Sequence, residues 1–160
     1  MIKIKRVDKK NTPIFRTLFL KLLENGFEYY AKKANAYNSK FWSHKRIREF
    51  ISTSNHLIVI AFKDSLPVGY LVGKSYEDAR SSILWMGVVA PFRGQGIGEK
   101  LIEYFEIWAK RRGVKIIRAS TANFDNEKFY LKEGFKKLAK TTRNDWGMKK
   151  LVFIKRVKTR

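Results

Sequence analysis

The chain has 160 residues, 44% of them hydrophobic and 14% aromatic. That is enough for one domain with a real core, and it excludes both a disordered chain and two ordinary domains. Cysteine is absent, which excludes disulfides, zinc–thiolate sites and thiol nucleophiles and fits a reducing cytoplasm. Lys and Arg number 35 against 14 Asp and Glu, a formal charge of +21. Three readings of that surplus stay open: a generally basic surface, steering of an anionic cofactor or acidic partner, and association with nucleic acid.

A first strand is expected over residues 1–7, where Ile2 and Ile4 alternate with Lys3 and Lys5. The same lysines, with Arg6, Lys9 and Lys10, break up the start of the chain, so no signal peptide is expected. Thr12 can cap a helix with Pro13 at its first position, carrying Ile14, Leu18 and Leu22 at spacing four and stopping at Asn25-Gly26. Residues 27–40 are aromatic and basic without a clear period and are expected as a loop with room for a short helix. Ser43 caps a second helix holding Ile47, Phe50 and Ile51.

Residues 57–62 and 68–75 make a hairpin around Lys63-Asp64-Ser65. Residues 83–89 form a near-continuous apolar run, as a central strand does. The longest uncharged apolar stretch, 83–92, is shorter than the ~20 residues a bilayer crossing needs, so no membrane partner is expected.

The clearest helix covers 99–112, with Leu101, Ile102, Phe105, Trp108 and Ala109 on one stripe. Glu99 and Glu103 lie toward its start and Lys110, Arg111 and Arg112 at its end, as the helix dipole favours, and Gly113 stops it. A strand at 114–119, a short helix at 126–133 ended by Gly134, and strands at 135–139 and 148–154 complete the chain. The order is β-α-α-β-β-β-α-β-α-β-β within a single domain, 1–160.

Between the apolar strand and the long helix lies Ala90-Pro91-Phe92-Arg93-Gly94-Gln95-Gly96-Ile97-Gly98. A helix N-terminus leaves about four N–H groups without partners and carries partial positive charge, so an anion there satisfies both. Glycines let the backbone turn sharply and admit phosphate oxygens where a Cβ would stand. A plain tight turn is the alternative, but strand, turn and helix occur in the order an anion site requires. The spacing is neither that of a Rossmann fingerprint nor that of a Walker loop.

Arg93-x-x-Gly96-x-Gly98 after Val88-Val89-Ala90-Pro91 resembles the acetyl-CoA signature of the GCN5-related N-acetyltransferase family. Asn123 followed by Phe129-Tyr130-Leu131-Lys132-Glu133-Gly134-Phe135 is similar to a second motif of that family. The resemblance implies an α/β (α+β) fold with a mixed, mostly antiparallel seven-stranded sheet and helices on both faces. It implies acetyl-CoA as co-substrate, with no metal. The amides of Gln95, Gly96, Ile97, Gly98 and Glu99, with Gly94 in the turn, would hold the pyrophosphate, and Arg93 would shape the loop. Val88 and Val89 would pair with the pantetheine arm, Asn123 would bond it, and Asn126 would stand beside it. Tyr130 would act as general acid at the sulfur.

No acid lies in residues 83–89 or 114–122, and Arg118 stands where relatives often place a Glu. Glu77 is therefore the candidate base, with Asp78, Glu28 and His44 behind it. A lysine, with pKa about 10.4, must give up about 4.6 kcal/mol of protonation preference at pH 7, an α-amine near 7.8 only about 1.1. A site without an evident carboxylate thus suits an α-amine or a water-relayed base, and the expected acceptor is a primary amine of a protein or peptide. Alternatives are a small-molecule amine and a non-catalytic basic module that holds CoA or nucleic acid. Association with nucleic acid or a ribosome is one use of the charge. A monomer or homodimer is expected.

Overall fold

The computed structural model describes residues 1–27, 30, 32–142 and 146–158. Its elements are β1 (Ile2–Arg6), α1 (Thr12–Asn25), α2 (Lys32–Phe41), α3 (His44–Ile51), β2 (His56–Lys63), β3 (Leu66–Ser75), β4 (Arg80–Val88), α4 (Ile97–Arg111), β5 (Ile116–Thr121), α5 (Glu127–Lys132), β6 (Lys136–Lys140) and β7 (Leu151–Arg156). The strands form one sheet in the order β1-β2-β3-β4-β5-β7-β6. Every neighbouring pair is antiparallel except β4 and β5. The expected sheet and its helices on both faces are present.

Two cores follow, one on each side of the sheet. α4 packs Ile97, Leu101, Ile102, Phe105, Trp108 and Ala109 against Leu57, Val59, Leu71, Ile83, Ile117 and Phe153. α1 packs Phe15, Leu18, Phe19, Leu22 and Leu23 on the opposite side against Ile58, Ile60, Tyr70 and Val72. The α4 stripe is the one its sequence period indicates. Leu18 and Leu22 of the expected α1 stripe are buried, but Ile14 is 41% exposed and the fully buried Phe15 takes its place. Nor does Thr12 cap α1: its hydroxyl donates to Asp8 O at 2.9 Å, and Asn11 occupies the cap position. Ser43 does cap α3, accepting from Arg46 N at 3.2 Å.

Residues 32–41 form a helix where the sequence suggested mainly loop. The reason is visible in its burial, since Ala34 is the single buried residue it carries among those described. Polar ties hold it in place of an apolar stripe. Asn35 Nδ2 donates to Leu23 O and Phe27 O at 3.3 and 3.2 Å, and Arg16 Nε donates to Trp42 O at 3.1 Å.

β4 carries a bulge. Val72 pairs with Trp85 and Gly73 with Ile83, so Leu84 is an extra residue on β4. Ile83 faces the α4 core, Trp85 the α1 core, and Met86 and Val88 the α4 core again. Beside it, Gly73 lies beneath Phe105, whose ring carbon would stand 2.2 Å from an added Cβ. Only glycine lets α4 sit this close to β3. Gly73→Ala is expected to lower stability by about 1–3 kcal/mol through overpacking. Thermal melting should register this as a drop of roughly 2–12 °C.

Candidate active site

β4 and β5 pair only from Arg80↔Ile116 to Ser82↔Arg118. Beyond that the strands part, and a cleft of ≈ 390 Å³ opens between β4, the 93–98 loop and α5. Met86, Val88, Arg93, Gly94, Gly96, Ile97, Gly98, Glu99, Asn123, Asn126 and Tyr130 all line it. Both sequence motifs therefore meet in one place.

The loop has the geometry an anion site needs. Gly94 and Gly96 adopt φ of +75° and +79°, and neither would bring an added Cβ closer than 3.9 Å to another described side chain. Their glycine character serves the left-handed turn and leaves the space above it open. Lys100 N–H is the first to bond back into the helix, to Gly96 O at 3.1 Å, so the amides of residues 95–99 have no backbone acceptor among the described residues. Arg93 Nε donates to Val88 O at 3.0 Å, so this side chain pins the loop to the end of β4. Gln95 does not line the cleft; its side chain spans Pro91 O and Lys63 Nζ instead.

Gly98 has a different job. An added Cβ would lie 3.0 Å from the Phe129 ring, so this glycine lets α5 approach the first turn of α4. Across the mouth, Lys132 Nζ bonds Glu99 Oε1 at 2.8 Å. Asn123 Oδ1 caps the turn before α5 by accepting from Asp125 N at 3.0 Å, and Asn126 Nδ2 donates to Thr121 Oγ1 at 3.1 Å.

Tyr130 is 5% exposed and sits among Phe129, Phe135 and Phe153, with the Phe153 ring stacked at 4.9 Å. Burial raises its pKa well above the ordinary 10.0, and the neighbouring Tyr30 adds to the rise. Its hydroxyl therefore keeps its proton throughout the neutral range.

The strand edge refines the Val88–Val89 expectation. Val89 N donates to Val68 O at 2.9 Å, so Val89 turns its amide toward β3. Antiparallel partners alternate between bonding to each other and facing away, so Met86 and Val88 present their amides to the cleft. The Val89 amide is therefore spent within the sheet, a correction to the expected pair, and Met86, absent from that pair, faces its amide to the cleft beside Val88. Counting back two from Val88 would have found it.

Glu77 is also corrected. It is exposed in the β3–β4 turn, outside the cleft. The eight steps of β4 from Arg80 to Val88, at about 3.3 Å each, put that turn roughly 26 Å from the loop. Asp78 shares the turn and is tied to Arg80 at 2.6 Å, which lowers its pKa. His44 is exposed at the start of α3, and Glu28 lies outside the described residues. Among the described residues no group of acids and histidines could hold a metal ion, and no helix is long and apolar enough to cross a membrane.

The model of the acetyltransferase (GNAT) family matches residues 23–135. The chain belongs to that family. It is therefore an acetyl-CoA-dependent N-acetyltransferase, which sets aside a binding module without turnover. No curated protein sequence matches it significantly. Solved GNAT structures share the fold over nearly the whole chain. The PaiA N-acetyltransferase from Thermoplasma acidophilum, in complex with coenzyme A, is 18% identical with TM-score 0.79, covering 98% of this chain and 99% of that one. An N-acetyltransferase from Staphylococcus aureus Mu50 is 16% identical with TM-score 0.76, covering 99% of each chain. The ribosomal-protein-S18-alanine N-acetyltransferase from Escherichia coli is 13% identical with TM-score 0.73, covering 100% of this chain and 96% of that one.

The loop can be tested against a matched control. Gly96 and Gly113 bracket α4 with φ of +79° and +74°. Valine at either should cost similar stability, about 1–2 kcal/mol, through left-handed strain. Gly96→Val should weaken acetyl-CoA binding at least tenfold in calorimetric titration, and Gly113→Val should leave it within about twofold. Equal affinities would remove the phosphate from this loop.

Proposed function

We propose that this GNAT enzyme acetylates an α-amine of a protein or peptide. The observation that carries the reading is the cleft's poverty in bases. Among the described residues lining it, Glu99 is the one carboxylate, and it stands at the phosphate loop in an ion pair with Lys132. An acceptor has no carboxylate beside the reacting end to take its proton, so it must arrive largely neutral. An α-amine does so at a cost of about 1.1 kcal/mol at pH 7, a lysine at about 4.6.

Acetyl-CoA supplies an activated thioester when bound. The chain's residues then divide the work. The amides of residues 95–99 hold the pyrophosphate at the start of α4, and the Met86 and Val88 amides bond the arm and polarise the acetyl carbonyl. Asn123 and Asn126 border the arm from the β5 side. The Tyr130 hydroxyl, kept protonated by burial, hands its proton to the departing sulfur as the amine nitrogen bonds the carbonyl carbon and the C–S bond breaks. The amine's own proton leaves to water.

A protein acceptor suits this fold, since one structural relative is named for acetylating the alanine of ribosomal protein S18. A cationic polyamine suits it poorly, because a protein of charge +21 repels it. Cytoplasmic residence and an acceptor on a ribosome-like particle belong to this reading.

Two measurements test it. For a peptide with a free N-terminus, kcat/KM should rise with pH and level off near pH 8, whereas a blocked peptide with one lysine should stay slow and keep climbing toward pH 10. No falling limb from Tyr130 is expected below pH 10, because its raised pKa keeps it protonated. Faster turnover of the lysine peptide at pH 7 would overturn the α-amine assignment. Tyr130→Phe should lower kcat about 10²-fold with cofactor affinity nearly unchanged. Unchanged kcat would mean another group, or water, protonates the sulfur.

A further inference from the structure

The sheet is covered unevenly. Among the described residues, the core beneath α1 and α3 contains none from β5, β7 or β6. On these strands Ile117, Ala119, Leu151 and Phe153 point into the α4 core. Strand alternation then turns Ile116, Arg118, Ile154 and Arg156 to the other side. Register sets Arg118 beside Ile154 and Ile154 beside Lys136, with Ile116 beside Arg156. Arg118, Lys136 and Arg156 are exposed there, and none forms an ion pair among the described residues.

Charge is sorted between the two faces. Glu99, Glu106 and Glu127 sit on α4 and α5, where they pair with Lys132, Lys155 and Lys137. Residues 136–160 hold ten of the 35 basic residues and one of the 14 acids. The three glutamates thus neutralise lysines on the α4–α5 side, Lys137 and Lys155 among them, while Arg118, Lys136 and Arg156 on the other side have no such partner among the described residues.

We propose that this open sheet face binds the phosphate backbone of nucleic acid. Alternate residues along a strand lie about 6.8 Å apart and alternate strands about 9.6 Å apart, so the three cations form a grid on one face of the sheet. A polymer with regularly repeated charge can satisfy such a grid in many registers. An acidic peptide would need aromatic or arginine anchors seated in pockets, and β5, β7 and β6 offer no aromatic on this side. A membrane would need projecting apolar side chains, and Ile116, Val152 and Ile154 are half-buried. Lys150, on the same side just before β7, lies over the Tyr30 ring at 5.9 Å, and Tyr30 in turn meets Trp85 of β4 at 5.6 Å. A bound polymer would therefore lie next to Tyr30 and the α1 side of β4.

Binding is measured without acetyl-CoA, by fluorescence anisotropy of a labelled RNA strand and a labelled duplex at about 50 to 200 mM salt. The test protein carries Arg118→Gln, Lys136→Gln and Arg156→Gln. A control carries Lys110→Gln, Arg111→Gln and Lys128→Gln, the same charge loss on the exposed α4–α5 surface. The test protein should lose at least about tenfold in affinity, and its log–log salt slope should fall by about two, at 0.7–0.9 per phosphate contact. The control should lose less than about threefold. If the triple variant melts early, Arg118→Gln alone should still weaken binding where Lys110→Gln does not. Equal losses in both proteins, no binding by the wild type at the lower salt, or retention by phosphatidylserine vesicles without retention by nucleic acid would each overturn the proposal. Calorimetric CoA affinity should stay within about twofold in both variants, so failure here leaves the acetyl-transfer reading standing.

Discussion

Parallel pairing between β4 and β5 stops after three residues, and the catalytic architecture depends on that stop. Had the ladder continued, the Met86 and Val88 amides would be spent on β5 and the sheet would be closed. Because it stops, two backbone donors stand unpaired at the wall of a cleft. Strand amides next to an open seam are costly when buried without partners, so the fold is held ready for an extended ligand with acceptors of its own. A pantetheine arm has that chemistry, and the α4 N-terminus at the end of the same strand adds a place for charge.

The fold was largely legible because its main elements obey simple periods. The α4 stripe, the β2–β3 hairpin and the Ser43 cap each follow from local spacing. α2 escaped because polar bonds to the Leu23, Phe27 and Ala34 carbonyls hold it, and side-chain amides leave no hydrophobic period. In α1 the spacing of Leu18 and Leu22 holds, while Ile14 and Phe15 are both apolar and only packing decides which turns inward.

The site shows the same division. The glycine loop is readable because the left-handed turns at Gly94 and Gly96 restrict residue type, whereas Asn123–Tyr130, with ordinary extended and helical backbone, is legible only as a motif. Gly98 was readable only as part of a motif; its physical reason, contact with Phe129 from a distant segment, cannot be seen along the chain. Glu77 failed for a geometric reason. It follows β3 closely in sequence, but a strand's length separates the two ends of β4, and the chemistry sits at the other end.

The bulge at Leu84 has a consequence for how β4 can change over evolutionary time. The strand is two segments in opposite phase, joined by one extra residue. Removing that residue would close the ladder into regular alternation and leave Ile83, Met86 and Val88 toward α4 and Trp85 and Gly87 toward α1, because it is the extra residue that offsets the two phases. Keeping the residue but pairing it regularly would do the opposite, turning Trp85 toward α4 and Met86 and Val88 toward α1. Substitution at Leu84, itself 40% exposed, touches little. Position 84 should therefore tolerate both a change of residue and its deletion, whereas a further insertion in β4 would exchange the faces of the residues beyond it.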